Sequence, residues 1–374
     1  MARQKEQWTM APNLSSPVAC IADQPSLLAP LMESKRDVKI SEESSRCGDR
    51  KMKIVWRNVL VFTYLHLGAL YGIYLTCTVA RFYTFLWSLL ITIAAALGIT
   101  AGAHRLWAHK AYKAKWQLRI ILAIFQTIAF QNHIFEWVRD HRVHHKFSET
   151  DADPHNANRG FFFSHIGWLL VKKHPDVIRK GKTVDMSDLE EDFVVMWQKR
   201  TYLLVMPILC LILPTWIPCY YWNEDPWTSW YVCYVMRYTL SLNGTWLVNS
   251  AAHIWGTKPF DKNISPTENI PVAIAAFGEG WHNYHHVFPW DYKAAELGNY
   301  RTNLTTAFID FFAWLGWAYD LKMVPVEMAR KRAARTGDGS YEPFHGKDST
   351  LWGWGDRDMS ADDVKDIELY SKTN

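Results

Sequence analysis

Apolar residues in this chain come in long blocks separated by polar stretches, and the block lengths predict the elements. Residues 58–77 (NVLVFTYLHLGALYGIYLTC) and 84–101 (TFLWSLLITIAAALGITA) each reach the roughly 20 residues that a helix needs to cross a bilayer. Only a few residues link them, which predicts a membrane hairpin. Residues 202–222 and 227–248 form a second close pair. The third block carries Pro207, Pro214 and Pro218, tolerable where neighbouring helices re-satisfy the backbone. The fourth contains Arg237, and an arginine at mid-bilayer costs roughly 2.5–3.5 kcal/mol, so this side chain must snorkel or find a partner. Two shorter apolar stretches, 118–130 and 304–315, cannot span and read as helices lying on the interface or packed under a polar cap. The expected fold is all-α: four transmembrane helices in two hairpins, capped by a helical domain. Residues 1–50 show neither periodicity nor a signal-peptide pattern and read as a disordered arm. Residues 51–320 form the membrane domain, and 321–374 a polar tail.

Loop charge sets the orientation. Arg50, Lys51, Lys53 and Arg57 precede the first block, Arg105, Lys110, Lys113, Lys115 and Arg119 follow the second, and Lys199 and Arg200 precede the third. The opposite loops hold only Arg81 and the stretch WNEDPW. Both termini and the 102–200 segment are therefore expected in the cytosol. The mean hydropathy of -0.16 looks soluble only because it averages these two kinds of segment. With 20 Trp, 17 Tyr and 18 Phe the chain is too aromatic for disorder throughout, and a net charge of +4 excludes a nucleic-acid binder acting through bulk charge. The six cysteines form no CxxC pair and read as reduced packing residues.

The 15 histidines carry the chemistry. Nine fall in four short groups near block ends: His104 with His109; His141, His144 and His145; His253, four residues after Asn249; and His282, His285 and His286. Positions i, i+3 and i+4 share a helix face, so each HxxHH group is expected to present three imidazoles in one direction, and Asn249 to share a face with His253. His104 and His109 would stand about 140° apart on a continuous α-helix, which predicts a bend or service to different metals. Crowded imidazoles are unfavourable unless a cation replaces their protons, and nine donors exceed one metal, so two ions are expected. Ligand type alone leaves iron, zinc and copper open. His66, His133, His155, His165, His174 and His345, standing alone, are expected to be structural.

At these groups the sequence resembles a membrane acyl-CoA desaturase of the stearoyl-CoA (delta-9) type. The likeness spans residues 53–338 and rests on GITAGAHRLWAH (98–109), DHRVHHKFSETDADPHN (140–156), RGFFFSHIGWLL (159–170), TWLVNSAAH (245–253) and FGEGWHNYHHVFPWDY (277–292). The N-terminal arm and the RTGDGS…WGWGD tail (335–356) resemble the insect branch. The resemblance implies an endoplasmic-reticulum enzyme that forms a cis double bond, most simply at carbon 9 of saturated 16- or 18-carbon acyl-CoA, using O2 and electrons from cytochrome b5 and its NADH-dependent reductase. It implies two iron ions held by His104, His109, His141, His144, His145, His253, His282, His285 and His286, with Asn249 reaching one through water. Desaturation attacks two unactivated methylenes, which no side-chain acid or base can do, so an oxidant made from O2 is consistent with such a centre. The resemblance also implies a kinked acyl tunnel with Thr245 and Trp246 at the bend and Gln131 and Trp137 nearby, and CoA contacts at Asn132, Arg139, Asp140 and Lys173. Thr92 and Ala96 would form the blind end, with Thr92 where mammalian enzymes carry a bulky Tyr; a smaller floor accepts a longer chain. Delta-11 and other regioselectivities occur in the insect branch and stay open. A fatty-acyl or sterol hydroxylase would share such boxes, but the DHRVHH and GEGWHNYHH contexts favour the desaturase. A metal transporter would place ligands near the bilayer midplane, whereas these groups lie at or beyond block ends.

Overall fold

The computed structural model describes residues 52–296 and 299–341; the predicted arm, His345 and most of the predicted tail lie outside the described residues. The first two apolar blocks become helices Trp56–Thr78 and Phe82–Leu97. The second continues without interruption through Gly98–Ala108, which is wound as a π-helix. The third block starts earlier than its hydropathy suggests, at Phe193, and runs as one helix to Trp222 with a π-helical stretch at Ile208–Ile212 directly after Pro207. A proline lacks the N–H that an α-helical ladder uses, so the bonding pattern shifts there while the helix goes on.

By length and composition, three helices among the described residues suit a bilayer: Trp56–Thr78, Phe82–Ala108 and Phe193–Trp222. A fourth arises if Trp116–Ala129 and Ile134–Phe147, which meet at 82°, count as one broken span, so the 118–130 stretch is half of a bent pair. The fourth predicted block does form continuous helix over 226–249. It falls short of the other three in apolarity, because Arg237, Thr239, Ser241 and Asn243 interrupt it. Burial explains how it persists: Val232, Cys233, Val235, Tyr238 and Thr239 are enclosed by neighbouring helices, and a helix wrapped by protein needs no lipid-facing stripe. Arg237 is 1% exposed and does not snorkel. Its guanidinium donates to the carbonyls of Cys233 (3.0 Å), Cys210 (3.2 Å) and Ile128 (3.4 Å).

The two hairpin turns are joined by buried Glu224, which accepts from the Arg81 backbone N–H at 2.8 Å and from the Thr84 hydroxyl. At the other end, short helices cover the bundle. Leu118, Leu122, Ile134, Val138, Leu189, Val195 and Ile309 form one buried cluster beneath them. The strands Lys113–Ala114 and Ala318–Tyr319 pair antiparallel at its edge. Helix Val326–Thr336, in the stretch expected to be tail, buries Ala329 and Ala333 against Phe260, Tyr284 and Phe288, and so buttresses the helix carrying the last histidine group.

Candidate metal centre

The nine clustered histidines converge. Nitrogens of His104, His109, His141, His145 and His285 all lie within 4.8 Å of one another, as do those of His144, His253, His282 and His286. The π-winding explains His104 and His109. The His109 N–H bonds the His104 carbonyl at 3.1 Å, so residues five apart stack as residues four apart do in an α-helix, and the ring centroids are 4.8 Å apart in one group. The expected bend or division between metals is thus replaced by a change of helical pitch. The HxxHH boxes also behave differently from the expectation of one direction each. The i, i+4 pair His141 and His145 joins the first group while His144 joins the second; His282 and His286 join the second while His285 joins the first. Neighbouring helical residues diverge by about 100°, so each box divides its adjacent histidines between two sites. The helix carrying Asn249 breaks at Ser250 (φ -112°, ψ -74°), so His253 stands on a separate short helix, Ala251–Ile254. Asn249 still lines the cavity beside the cluster.

Three carboxylates point the imidazoles inward. His104 Nδ1 lies 2.8 Å from Glu279, His144 Nδ1 3.0 Å from Asp153, and His253 Nδ1 3.0 Å from Glu149. An Nδ1–H donated to a carboxylate leaves the Nε2 lone pair facing the cluster, the arrangement that orients metal-bound histidine. These Nε2 atoms face other imidazoles: His104 Nε2 is 3.0 Å from His285 Nε2, and His253 Nε2 is 3.0 Å from His282 Nε2. His144 Nε2 is buried with no hydrogen-bond partner at all. Burial first, and the surrounding histidines second, hold His282, His285 and His286 well below the ordinary histidine range, in the neutral form that ligates. Burial alone would raise Asp153 and Glu279; His144 and His155 for Asp153, and Arg105 and His104 for Glu279, reverse this and keep both carboxyls below their usual range. The donor set fits a metal.

These carboxylates went unassigned in the sequence, although Glu149 and Asp153 stand inside SETDAD and Glu279 inside FGEG. His155, expected to be structural, lies beside this cluster, its Nδ1 3.4 Å from Asp153. It makes a third possible metal-holding group with His144 and Asp153, and burial, then His144, push it down to about 3. His133 and His174 are ordinary, each accepting from a backbone N–H at a helix start. His66 and His165 flank Asn243, at 3.2 and 3.1 Å.

Two cavities meet at the cluster. One of about 360 Å³ is lined by His104, His141, His144 and His282 at one end and by Thr92, Ala96 and Leu89 toward the other. A second of about 320 Å³ is lined by Gln131, Asn132, Asp140, Trp246 and the unpredicted Asn58. Trp137, His141, Thr245 and Asn249 line both. At this junction Gln131 Nε2 donates to Thr245 Oγ1 at 2.9 Å, and Trp137 Nε1 approaches Gln131 Oε1 at 3.4 Å. Arg139 and Lys173 line a neighbouring recess of about 170 Å³ with Asp140, and both cations pair with that carboxylate and with Glu136. The structure thus gathers the predicted bend and floor residues on two adjoining cavities, with the two cations in a recess beside the second.

Residues 80–302 match the family described as Fatty acid desaturase. An acyl-CoA Delta-9 desaturase of Acheta domesticus is 59% identical over 356 residues, 95% of this chain and 97% of that protein. The chain belongs to the fatty acid desaturase family. It is therefore an oxidoreductase and a membrane protein. Two further relatives separate family from regioselectivity. An acyl-CoA Delta12-desaturase of Acheta domesticus is 60% identical over 309 residues (83% of this desaturase, 84% of that one). An acyl-CoA Delta(11) desaturase of Spodoptera littoralis is 52% identical over 332 residues (89% and 95%).

Proposed function

We propose that this desaturase uses O2 to form a cis double bond in saturated 16- or 18-carbon fatty acyl-CoA, most simply at carbon 9. The observation carrying the reading is the mostly apolar cavity lined by histidines of both groups, with a second cavity adjoining it at Trp137, His141, Thr245 and Asn249. The reaction balances as the acyl chain giving up two hydrogens, a donor supplying two electrons and two protons, and O2 leaving as two waters. Two iron ions are the group we assign: His104, His109, His141, His145 and His285 would hold one, and His144, His253, His282 and His286 the other, with Asn249 reaching the second through water. Bound iron supplies the oxidising power that two unactivated C–H bonds demand.

The protein supplies position. Trp137, Gln131, Thr245 and Trp246 hold the chain at its bend, and Thr92 and Ala96 close the far end, so one carbon pair stands at the histidines and water stays out. Asn132, Arg139, Asp140 and Lys173 would take the CoA portion, its phosphates being matched by the two cations. We assign four spans, 56–78, 82–108, 193–222 and 226–249, with the histidine cap and both termini in the cytosol by loop charge. In that orientation cytochrome b5 and its NADH-dependent reductase, at the endoplasmic-reticulum membrane, would deliver the electrons. Relatives of similar identity named for delta-11 and delta-12 favour a second reading, the same chemistry at another carbon.

Expression in a desaturase-deficient yeast, with gas chromatography of the fatty acids and chemical location of the double bond, tests this. A new cis-9 acid is the expected result. A double bond elsewhere selects the second reading, a hydroxylated acid points to a hydroxylase on the same centre, and no new product overturns the proposal.

A further inference from the structure

The elbow joining Trp116–Ala129 to Ile134–Phe147 turns the chain by 82°. Phe130 (φ 51°) and Asn132 (φ 66°) are both in the left-handed region that side chains with a Cβ avoid. Two such residues so close together persist only where the surroundings over-determine them, and strain held in this way clusters at functional sites. Here the restraints come from two other helices, which carry Tyr238 and Gln198, and from Gln126 in the first arm of the elbow itself. The Tyr238 hydroxyl donates to the Phe130 carbonyl at 3.0 Å while its ring stacks on Phe130, centroids 5.2 Å apart. Gln126 Nε2 donates to the Asn132 carbonyl at 2.7 Å. Gln198 locks this from behind: its Nε2 donates to Gln126 Oε1 (2.7 Å) and Thr127 Oγ1 (3.0 Å), and its Oε1 accepts from the Ile134 N–H (3.1 Å). Both glutamines are buried, a costly placement that these bonds offset. Between the clamped carbonyls sits Gln131, whose side chain reaches Thr245 and Trp137 where the two cavities meet.

We propose that Gln126, Gln198 and Tyr238 are positioning residues for regioselectivity: by fixing the elbow backbone they fix Gln131 at the bend, and so determine which carbon pair stands at the histidines. Neither glutamine lines the two cavities, so they act through the elbow alone, whereas Tyr238 also lines the second cavity, which makes Gln198→Met the cleaner of the two variants. The proposal rests on the acyl-CoA desaturase reading above. Its test is yeast expression of the full chain, Tyr238→Phe and Gln198→Met, with the double-bond positions and chain lengths of the products measured beside membrane protein levels. Losing one such hydrogen bond should raise minor positional isomers about threefold or more relative to the main product. A merely structural role would lower the total product and leave the isomer ratio alone. If Gln198→Met fails to accumulate, Tyr238→Phe, which keeps its stacked ring, carries the test. An unmodified chain that makes product, with parental isomer ratios in the accumulating variants, overturns this proposal by itself. An unmodified chain that makes no unsaturated acid overturns the functional reading and this proposal with it.

Discussion

An imidazole whose Nδ1–H is committed to a carboxylate has only a lone pair left to offer, and three of the nine clustered histidines are in this state. Glu149, Asp153 and Glu279 therefore act as residues that choose a tautomer, and three ordinary acids join the candidate metal centre. The same scale governs the far end of the hollow. Thr92 donates its hydroxyl to the Ser88 carbonyl at 2.8 Å and lines the cavity beside Ala96. Thr92→Tyr would fill that end. We expect it to lower product from the longest acyl chains several-fold more than product from 16-carbon ones, since each excluded methylene costs about 0.8 kcal/mol of burial. Competition between chain lengths in membranes checks this, and an unchanged profile would sink it.

The π-helix Gly98–Ala108 is the element on which the first histidine pair depends. It is buried throughout and crosses Trp116–Ala129 at close range. Gly98 makes that crossing possible, because a Cβ there would lie 2.2 Å from the Gln126 N and 2.3 Å from the Phe125 carbonyl carbon. Both are backbone atoms and cannot swing aside. Gly98→Ala should thus push the helices apart at a cost of about 1–3 kcal/mol, read as a lower melting temperature of the detergent-solubilised protein. An unaltered melting curve would show that the crossing has slack.

At the scale of the whole molecule, the two HxxHH boxes trade members: each gives its i, i+4 pair to one group and its i+3 histidine to the other. The groups are interlocked, so folding one box against the other builds both sites together. On the proposed ligand set, His285→Ala would remove a first-group ligand and His144→Ala a second-group ligand. Each should retain about one of two iron ions and yield no product, while the double variant retains almost none, since losing a ligand weakens metal affinity strongly. Iron analysis of the purified proteins decides; single variants that keep both ions would remove these residues from the ligand set.

Much of this architecture is legible in the chain alone. Apolar blocks of bilayer length depend on local composition, as do the histidine boxes, whose short spacings keep them together in any helical fold. The 226–249 helix shows the limit of that reasoning: it forms as expected, yet Arg237 and its polar neighbours are tolerated only because other helices supply carbonyls to a buried guanidinium. Sequence also could not separate the adjacent histidines 144 and 145, or 285 and 286, because which of two directions meets a partner depends on helices more than 100 residues away. The pairing of Glu279 with His104, the position of His155 beside His144, and the left-handed elbow have the same origin. Local chemistry determined which groups could bind a metal and which segments could cross a membrane. Long-range packing alone decided where the imidazole nitrogens point and which residues line the two cavities, since both depend on distances between residues that are remote along the chain.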